Sequence, residues 1–312
     1  MRGAGPVFLF LFIAALINLS MHMNRQPAMK WQTTRFQLDL GTPRVMGIVN
    51  ITPDSFSDGG QHGSTAAALR HCEQLIQDGA DILDIGGEST RPGAQPLGLE
   101  DELARVLPVL KGALSLGVAV SVDTYKPQVM QAALDLGADI INDIWALRWQ
   151  EGRDSLRGDQ VIAMHPNCGV CLMHMHQEPQ TMQVQPMQGD VVPQVLLFLE
   201  QAAHTLYGLG VEKARILIDP GIGFGKTATQ NFSLLSRQTE LLAAGYPLLI
   251  GWSRKSSLAG MTAAAGQPLL ARQRLAPSLA AALLAVQRGA AVVRVHDVKE
   301  TVQALRVLLA AR

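Results

Sequence analysis

The sequence predicts an α/β protein of the (β/α)8 TIM-barrel class, and three observations carry that prediction. From residue 45 onward, short apolar segments alternate with longer amphipathic ones, eight pairs over roughly 265 residues. Most of the short segments are almost continuously apolar, as parallel strands covered on both faces must be. Polar residues recur at their C-terminal ends: Asn50, Glu88, Asp123, Asn142, His174, Asp219, Ser253 and His296. In a barrel those ends converge on one mouth. A doubly wound sheet is the alternative, but no early Gly-rich dinucleotide turn is present and the polar residues do not gather at one crossover point.

Each element has its own grounds. Strands are expected at VMGIVN (45–50), ILDIGG (82–87), VAVSVD (118–123), ADIINDI (138–144), GVCLMHM (169–175), ILIDPG (216–221), PLLIGWS (247–253) and VVRVHD (292–297). In residues 64–78, Ala66, Leu69, Cys72 and Leu75 share one helical face and Gly79 can end the helix. Residues 99–116 have the same character. Pro127 suits a first helical turn, with Thr124 upstream as a cap. Segments 193–209, 231–243, 276–288 and 298–311 complete the helices, and Asp297 with Glu300 has capping-box spacing. Residues 145–168 and the Met- and Gln-rich 175–190 read as irregular.

Composition excludes several functions. The 26 basic and 26 acidic residues balance, pI is near 7.1 and aromatics are only 5%, so neither a basic nucleic-acid surface nor a base-stacking one is expected. Three cysteines do not make a disulfide scaffold. Cys168 and Cys171 form a CxxC near His165, His174 and His176, but no second Cys pair follows and the set straddles a strand, so packing roles are expected over zinc. The apolar run at residues 7–19 is short for a membrane span and lacks a good signal-cleavage site. The expectation is that residues 1–35 are an extension outside the fold, with the native start at Met21, Met23 or Met29. Residues 36–312 then form one cytoplasmic domain, with membrane attachment not expected.

ILIDPGIGFGKT (216–227) looks like a phosphate loop but fits neither well-known pattern. A P-loop needs glycine where Pro220 stands, and a dinucleotide loop needs glycine where Lys226 stands. It is therefore read as a strand-end loop in a shared site, with Lys226 a solvated loop lysine of uncertain duty. Around the mouth, Arg91, Arg254, Lys255, Arg294 and His296 supply cationic or hydrogen-bonding groups suited to an anion. Asp123, Asn142 and Asp219 can hydrogen-bond a nitrogen-rich heterocycle.

These motifs resemble the dihydropteroate synthase family. MGIVNITPDSFSDGG (46–60), DILDIGGESTRPGA (81–94), SVDTYKP (121–127), INDI (141–144), CLMHM (171–175), LIDPGIGFGK (217–226), GWSRKS (251–256) and VRVHDVKET (293–301) occur in the family's order, so the resemblance covers about residues 36–310. It implies a homodimeric TIM barrel that joins (7,8-dihydropterin-6-yl)methyl diphosphate to 4-aminobenzoate. By the same resemblance, Asp123, Asn142 and Asp219 bind the pterin, Lys255 reaches its carbonyl edge, and Met173 and Phe224 line the pocket. Asn50, Arg91, Arg294 and His296 hold the diphosphate, and Asn50 is also a Mg²⁺ ligand. Ser256, Phe56, Asp58, Thr90 and Pro92 contribute to substrate binding. Tyr125, Trp252, Ile222 and Gln177 depart from the family's usual residues. A noncatalytic pterin-binding barrel or methyltransferase-type domain is the alternative, and the diphosphate set tells against it.

Overall fold

The structure is a computed structural model that describes residues 29–51, 60–91, 93–152, 154–261 and 268–311. It opens with an antiparallel hairpin, β1 (Lys30–Gln32) and β2 (Gln37–Asp39). Eight parallel strands follow and close into a barrel: β3 (Arg44–Asn50), β4 (Ile82–Gly86), β5 (Ala119–Asp123), β6 (Ile140–Asp143), β7 (Gly169–Met173), β8 (Ile216–Asp219), β9 (Leu248–Ile250) and β10 (Ala290–Val295). β10 pairs with β3, so among the described residues the barrel has no open edge. The doubly wound alternative is thereby excluded. The expected strands are all present, trimmed at most of their C-terminal ends, where the chain leaves the ladder to build the mouth.

Helices cover the outside: α1 (Gly60–Gln77), α2 (Leu99–Ala113), α3 (Pro127–Leu136), α4 (Gly158–Met164), α5 (Val191–Gly208), α6 (Ala228–Ser236), α7 (Gln238–Leu241), α8 (Ser256–Met261), α9 (Leu275–Gln287) and α10 (Val298–Ala310). Local chemistry explains their ends. α2 carries Glu100, Asp101 and Glu102 in its first turn and Lys111 in its last, opposite to the partial charges of the helix termini. α3 starts on Pro127 and ends at Gly137 in the left-handed region, φ 110°. α6 has a reciprocal capping box between Thr227 and Gln230.

Three local expectations are corrected. Asp297 does not cap α10 with its side chain; its carboxylate is taken by Arg254 instead. Thr124 accepts from the Lys126 amide at 3.3 Å rather than from an amide inside α3. The segment 145–168, read as irregular, contains α4.

The fold also begins earlier than residue 36. Trp31 of β1 is fully buried and packs with Met46, Ile82, Ala119, Ile140, Leu217 and Leu249, the side chains at the N-terminal end of the barrel interior. Its indole N–H donates to the Arg215 carbonyl at 2.9 Å. Asp139, at the foot of β6, fixes the hairpin: it accepts from the Arg35 amide at 3.0 Å, from the Arg35 guanidinium at 2.6 Å and from the Val120 amide at 2.8 Å. Residues 30–35 therefore belong to the domain, as the floor of the barrel. Residues 1–28 of the expected extension, including 7–19, lie outside the described residues.

A Trp31→Ala substitution should destabilise the protein by about 3–5 kcal/mol, because the floor position loses an aromatic and leaves a cavity. Urea unfolding measures this as a lower midpoint. The mouth lies at the opposite end, so pterin affinity of the remaining folded protein should be unchanged.

Candidate active site

Strand register stacks the inward side chains in layers, because successive residues alternate between faces. Above the apolar floor, Ile48, Asp84 and Ser121 lie side by side on β3, β4 and β5. One step higher, Asn50 pairs with Gly86, and Gly86 with Asp123. Asp123 in turn pairs with Asn142, and Met173 with Asp219. On these strands the inward polar side chains thus begin halfway up the barrel.

The centre of this polar region is an ion-pair network. Arg294 on β10 donates from Nε to Asp84 at 2.6 Å and from Nη2 to Asp123 at 2.6 Å. Asn142 donates to the same Asp84 oxygen at 3.1 Å. Asp84 is completely buried. Among the described residues, its other carboxylate oxygen and the Ser121 hydroxyl have no hydrogen-bond partner. Burial alone would lower the Arg294 pKa, but Asp84 and Asp123 outweigh it and hold the guanidinium charged. Burial pushes the Asp123 carboxyl up to about 7, against the opposing pull of Arg294.

Asp219 ends β8 and is likewise buried. Burial raises it to about 6, opposed by the Gly221 amide, which donates to it at 2.7 Å, and by Lys255. Lys255 is lowered to about 8, by burial first and then by Arg294. Its ammonium stands 4.4 Å from the centre of the Phe224 ring. Phe224 and Met173 belong to one buried apolar cluster with Tyr125, Ile144, Met175 and Met182. The structure therefore brings together Asp123, Asn142 and Arg294 by direct bonds or a shared partner, and sets Lys255 over Phe224.

Lys226 is the clearest correction. It is not a solvated loop residue but 2% exposed. Its ammonium has three N–H groups, and three acceptors surround it: His174 Nδ1 at 2.9 Å, the Gly221 carbonyl at 2.9 Å and the Phe224 carbonyl at 3.0 Å. Burial lowers Lys226 to about 7 despite Asp219, and burial with Lys226 and Arg148 lowers His174 to about 2. The glycines before Lys226 are required by close approach. A Cβ on Gly221 would sit 1.9 Å from the His174 carbonyl oxygen, and one on Gly225 would sit 2.5 Å from that of His176. The loop after β8 is thus folded tightly around a buried cation, which stations Phe224 and the base of Asp219.

A second buried cation anchors the opposite rim. Lys126 is ion-paired with Glu88 and, at 2.5 Å, with Glu102. Glu88 also accepts from the Tyr125 hydroxyl at 3.0 Å. Tyr125 meets Trp149 edge-on, with centroids 5.2 Å apart. Glu88 immediately precedes Ser89, Thr90 and Arg91, so this cluster fixes the base of that loop. Arg91 itself is exposed; its carbonyl accepts from the Ala94 amide at 3.0 Å, and its guanidinium makes no hydrogen bond or ion pair among the described residues. Beyond it, the Gly93 amide donates to the Pro179 carbonyl at 3.3 Å, which joins this segment to the one after β7.

The remaining predicted residues are placed as follows. Asn50 stands at the end of β3, its side chain without a hydrogen bond among the described residues. Thr90 is half-buried, and Ser256 is exposed at the first position of α8. His296 follows β10 directly and is bonded to Ser253. Arg254 pairs with Asp297 at 2.5 Å, which removes it from the set of free mouth cations. Phe56, Asp58 and Pro92 lie outside the described residues. Cys168 accepts from Arg215 at 3.1 Å, and Cys171 packs in the barrel interior. Among the described residues no group of three His, Cys, Asp or Glu side chains could hold a metal.

Sequence reasoning missed Asp84, Lys126 and the buried state of Lys226. Asp84 had a visible signal: a lone carboxylate inside an apolar strand, two positions before the strand-end glycine. Such a group cannot be left unpaired.

A closed barrel with buried carboxylates, an amide, a lysine and an arginine at one mouth defines a heterocycle-binding TIM-barrel enzyme. The family described as "Pterin binding enzyme" matches residues 46–296. The dihydropteroate synthase of Neisseria meningitidis serogroup B is 48% identical over 282 residues, 89% of this chain and 95% of that protein. That of Escherichia coli K12 is 47% identical over 273 residues, covering 87% and 92%. Among solved structures, Burkholderia cenocepacia dihydropteroate synthase complexed with 7,8-dihydropteroate matches with a TM-score of 0.80 and 48% identity, covering 91% of this chain and 96% of that one. Xanthomonas albilineans dihydropteroate synthase with 4-aminobenzoic acid gives 0.82 and 46%, covering 91% and 98%. The chain belongs to the dihydropteroate synthase family. It is a transferase that condenses (7,8-dihydropterin-6-yl)methyl diphosphate with 4-aminobenzoate, giving 7,8-dihydropteroate and diphosphate.

Lys226→Met should cost about 3 kcal/mol, because two carbonyls and an imidazole nitrogen lose their shared donor inside the protein. Thermal unfolding reads the loss. Lys226→Arg should not restore stability, since a planar fork cannot meet three acceptors arranged around one point.

Proposed function

We propose that this condensation runs on the residues gathered at the barrel mouth, with pterin deep and diphosphate at the rim. The observation that carries the reading is the convergence of Asp123, Asn142 and Asp219 with Lys255 and Arg294. The carboxylates and the amide match the adjacent N–H groups and nitrogens of a pterin, and Lys255 suits its carbonyl edge. Asn50, Arg91, Arg294 and His296 take the diphosphate. Ser256, with Thr90, Phe56, Asp58 and Pro92, forms the aminobenzoate side.

In this reading the bond between the pterin methylene carbon and the diphosphate oxygen breaks first. Arg294 and Arg91 stabilise the negative charge that develops on the leaving group. The electron-rich pterin carries the positive charge of the methylene, while Asp219 and Asp123 favour that charge electrostatically. The aniline nitrogen then bonds to the methylene carbon and releases its proton. No enzyme nucleophile is required.

Magnesium fits the donors at hand. Asn50 would hold it through a hard side-chain amide oxygen that makes no hydrogen bond among the described residues. Bound there, Mg²⁺ would supply further charge to the leaving diphosphate. Dimerisation and a cytoplasmic location rest on the family resemblance. Among the described residues no helix is long and apolar enough to cross a membrane.

The direct test supplies the full chain with pterin diphosphate, 4-aminobenzoate and Mg²⁺ and measures dihydropteroate and diphosphate together. Stoichiometric formation of both is expected; pterin binding without either product would overturn the reading. Arg294→Ala should weaken inhibition by inorganic diphosphate at least about tenfold. Its effect on binding of a pterin that lacks diphosphate should be smaller, and equal losses would contradict the assigned role.

The pH dependence follows from the buried acids. Asp123 and Asp219 are raised to about 7 and about 6, so both are ionised above neutrality and both protonated at acid pH. Affinity for a pterin lacking diphosphate should therefore fall as pH drops from 8 to 5, as calorimetry would measure. Lys255, at about 8, should weaken binding again on the alkaline side as it loses its proton.

A further inference from the structure

Ser253 is an unassigned polar residue in contact with the proposed machinery. It follows β9 by three residues, is 7% exposed, and sits beside the end of β10, where Val293 pairs with Ile250. The backbone amide of His296 donates to Ser253 Oγ at 3.1 Å. Ser253 Oγ also lies 3.0 Å from His296 Nδ1. The hydroxyl thus meets one histidine twice, at its backbone and at its ring.

Counting donors decides the direction of the second bond. A serine hydroxyl has one hydrogen to give and two lone pairs. The His296 amide can only donate, so it takes one lone pair. If Nδ1 carried a hydrogen, it would take the other, and the Ser253 hydrogen would have no acceptor among the described residues. A buried hydroxyl left without an acceptor is costly. If Nδ1 is the bare nitrogen, the Ser253 hydrogen goes to it and every donor is matched.

The ring is neutral at physiological pH. Burial lowers His296 to about 3, and Arg254 and Arg294 push the same way while Asp297 opposes them. A neutral imidazole has one N–H, and with Nδ1 accepting it must be on Nε2.

We propose that Ser253 is a positioning residue that locks His296 as the Nε2–H tautomer, so that the ring donates a hydrogen bond to an anionic ligand. The alternative tautomer would offer a lone pair to the same anion and repel it. The ligand half of this inference rests on the reading above in which His296 meets the diphosphate. The tautomer half stands on the Ser253 geometry alone.

The test labels the full chain with ¹⁵N-histidine and identifies the His296 ring by its loss in His296→Gln. Two-bond correlation spectra at neutral pH then report which nitrogen holds the hydrogen. The wild-type protein should show a protonated Nε2 and a bare Nδ1; a hydrogen on Nδ1 overturns the proposal. In Ser253→Ala the ring should populate both tautomers. Inhibition by inorganic diphosphate should weaken roughly tenfold in that variant, while binding of 6-hydroxymethylpterin, which lacks diphosphate, stays unchanged. Ser253→Thr keeps the hydroxyl and should restore both the single tautomer and the inhibition. An Ala variant with wild-type tautomer and wild-type diphosphate inhibition overturns the proposal. A shifted tautomer with unchanged inhibition would uphold the Ser253 lock and overturn His296 as a diphosphate ligand, so the two failures are distinguishable.

Discussion

One guanidinium, held between two carboxylates inside a closed barrel, organises the mouth of this protein. Arg294 cannot be buried without countercharge, and Asp84 and Asp123 cannot be buried without a cation. Each makes the others tolerable. Because Asn142 shares the Asp84 oxygen, the same carboxylate also orients an amide expected to face the pterin. The apolar floor, closed by Trp31, keeps this network from being solvated from below. The Lys126 and Lys226 anchors repeat the device on either side: a buried ammonium, paired with two carboxylates or met by three acceptors, ties down a loop that carries functional groups.

The network has a consequence for binding. Asp123 is bonded to Arg294. A pterin that hydrogen-bonds Asp123 and a diphosphate that pairs with Arg294 would therefore divide one existing ion pair between two ligand groups. Asp84 also pairs with Arg294, so the arginine would keep one carboxylate partner if Asp123 turned to a ligand. The site is preorganised on its floor, while at its rim Arg91 is exposed with its guanidinium unbonded among the described residues.

Much of this was legible in the sequence. The eight strand segments and the polar residues at their ends follow from periodicity, and the ordered motifs narrow the family. What remained hidden was partnership. The sequence presents Asp84 as one acid in ILDIGG, and only barrel closure brings it to Arg294, two hundred residues away in sequence. Lys226 reads as solvated because lysines usually are, and its three acceptors come from loop carbonyls and a histidine on another strand's end. Asp297 has capping spacing, yet Arg254 offers it a stronger partner than the helix amides do. Trp31 was set outside the fold because nothing local marks a hairpin of three-residue strands. In each case long-range geometry overrode a correct local preference.

The central claim is that the Asp84 charge fixes Arg294 and Asn142 beneath the pterin. The most direct measurement is calorimetric affinity for a pterin lacking diphosphate, comparing the full chain with Asp84→Asn at a pH where Asp123 is ionised. With the Asp84 charge gone, Arg294 should turn wholly to Asp123 and withdraw it from the ligand, weakening binding roughly tenfold in a protein that still folds. Unchanged affinity in a folded Asp84→Asn variant would contradict the account.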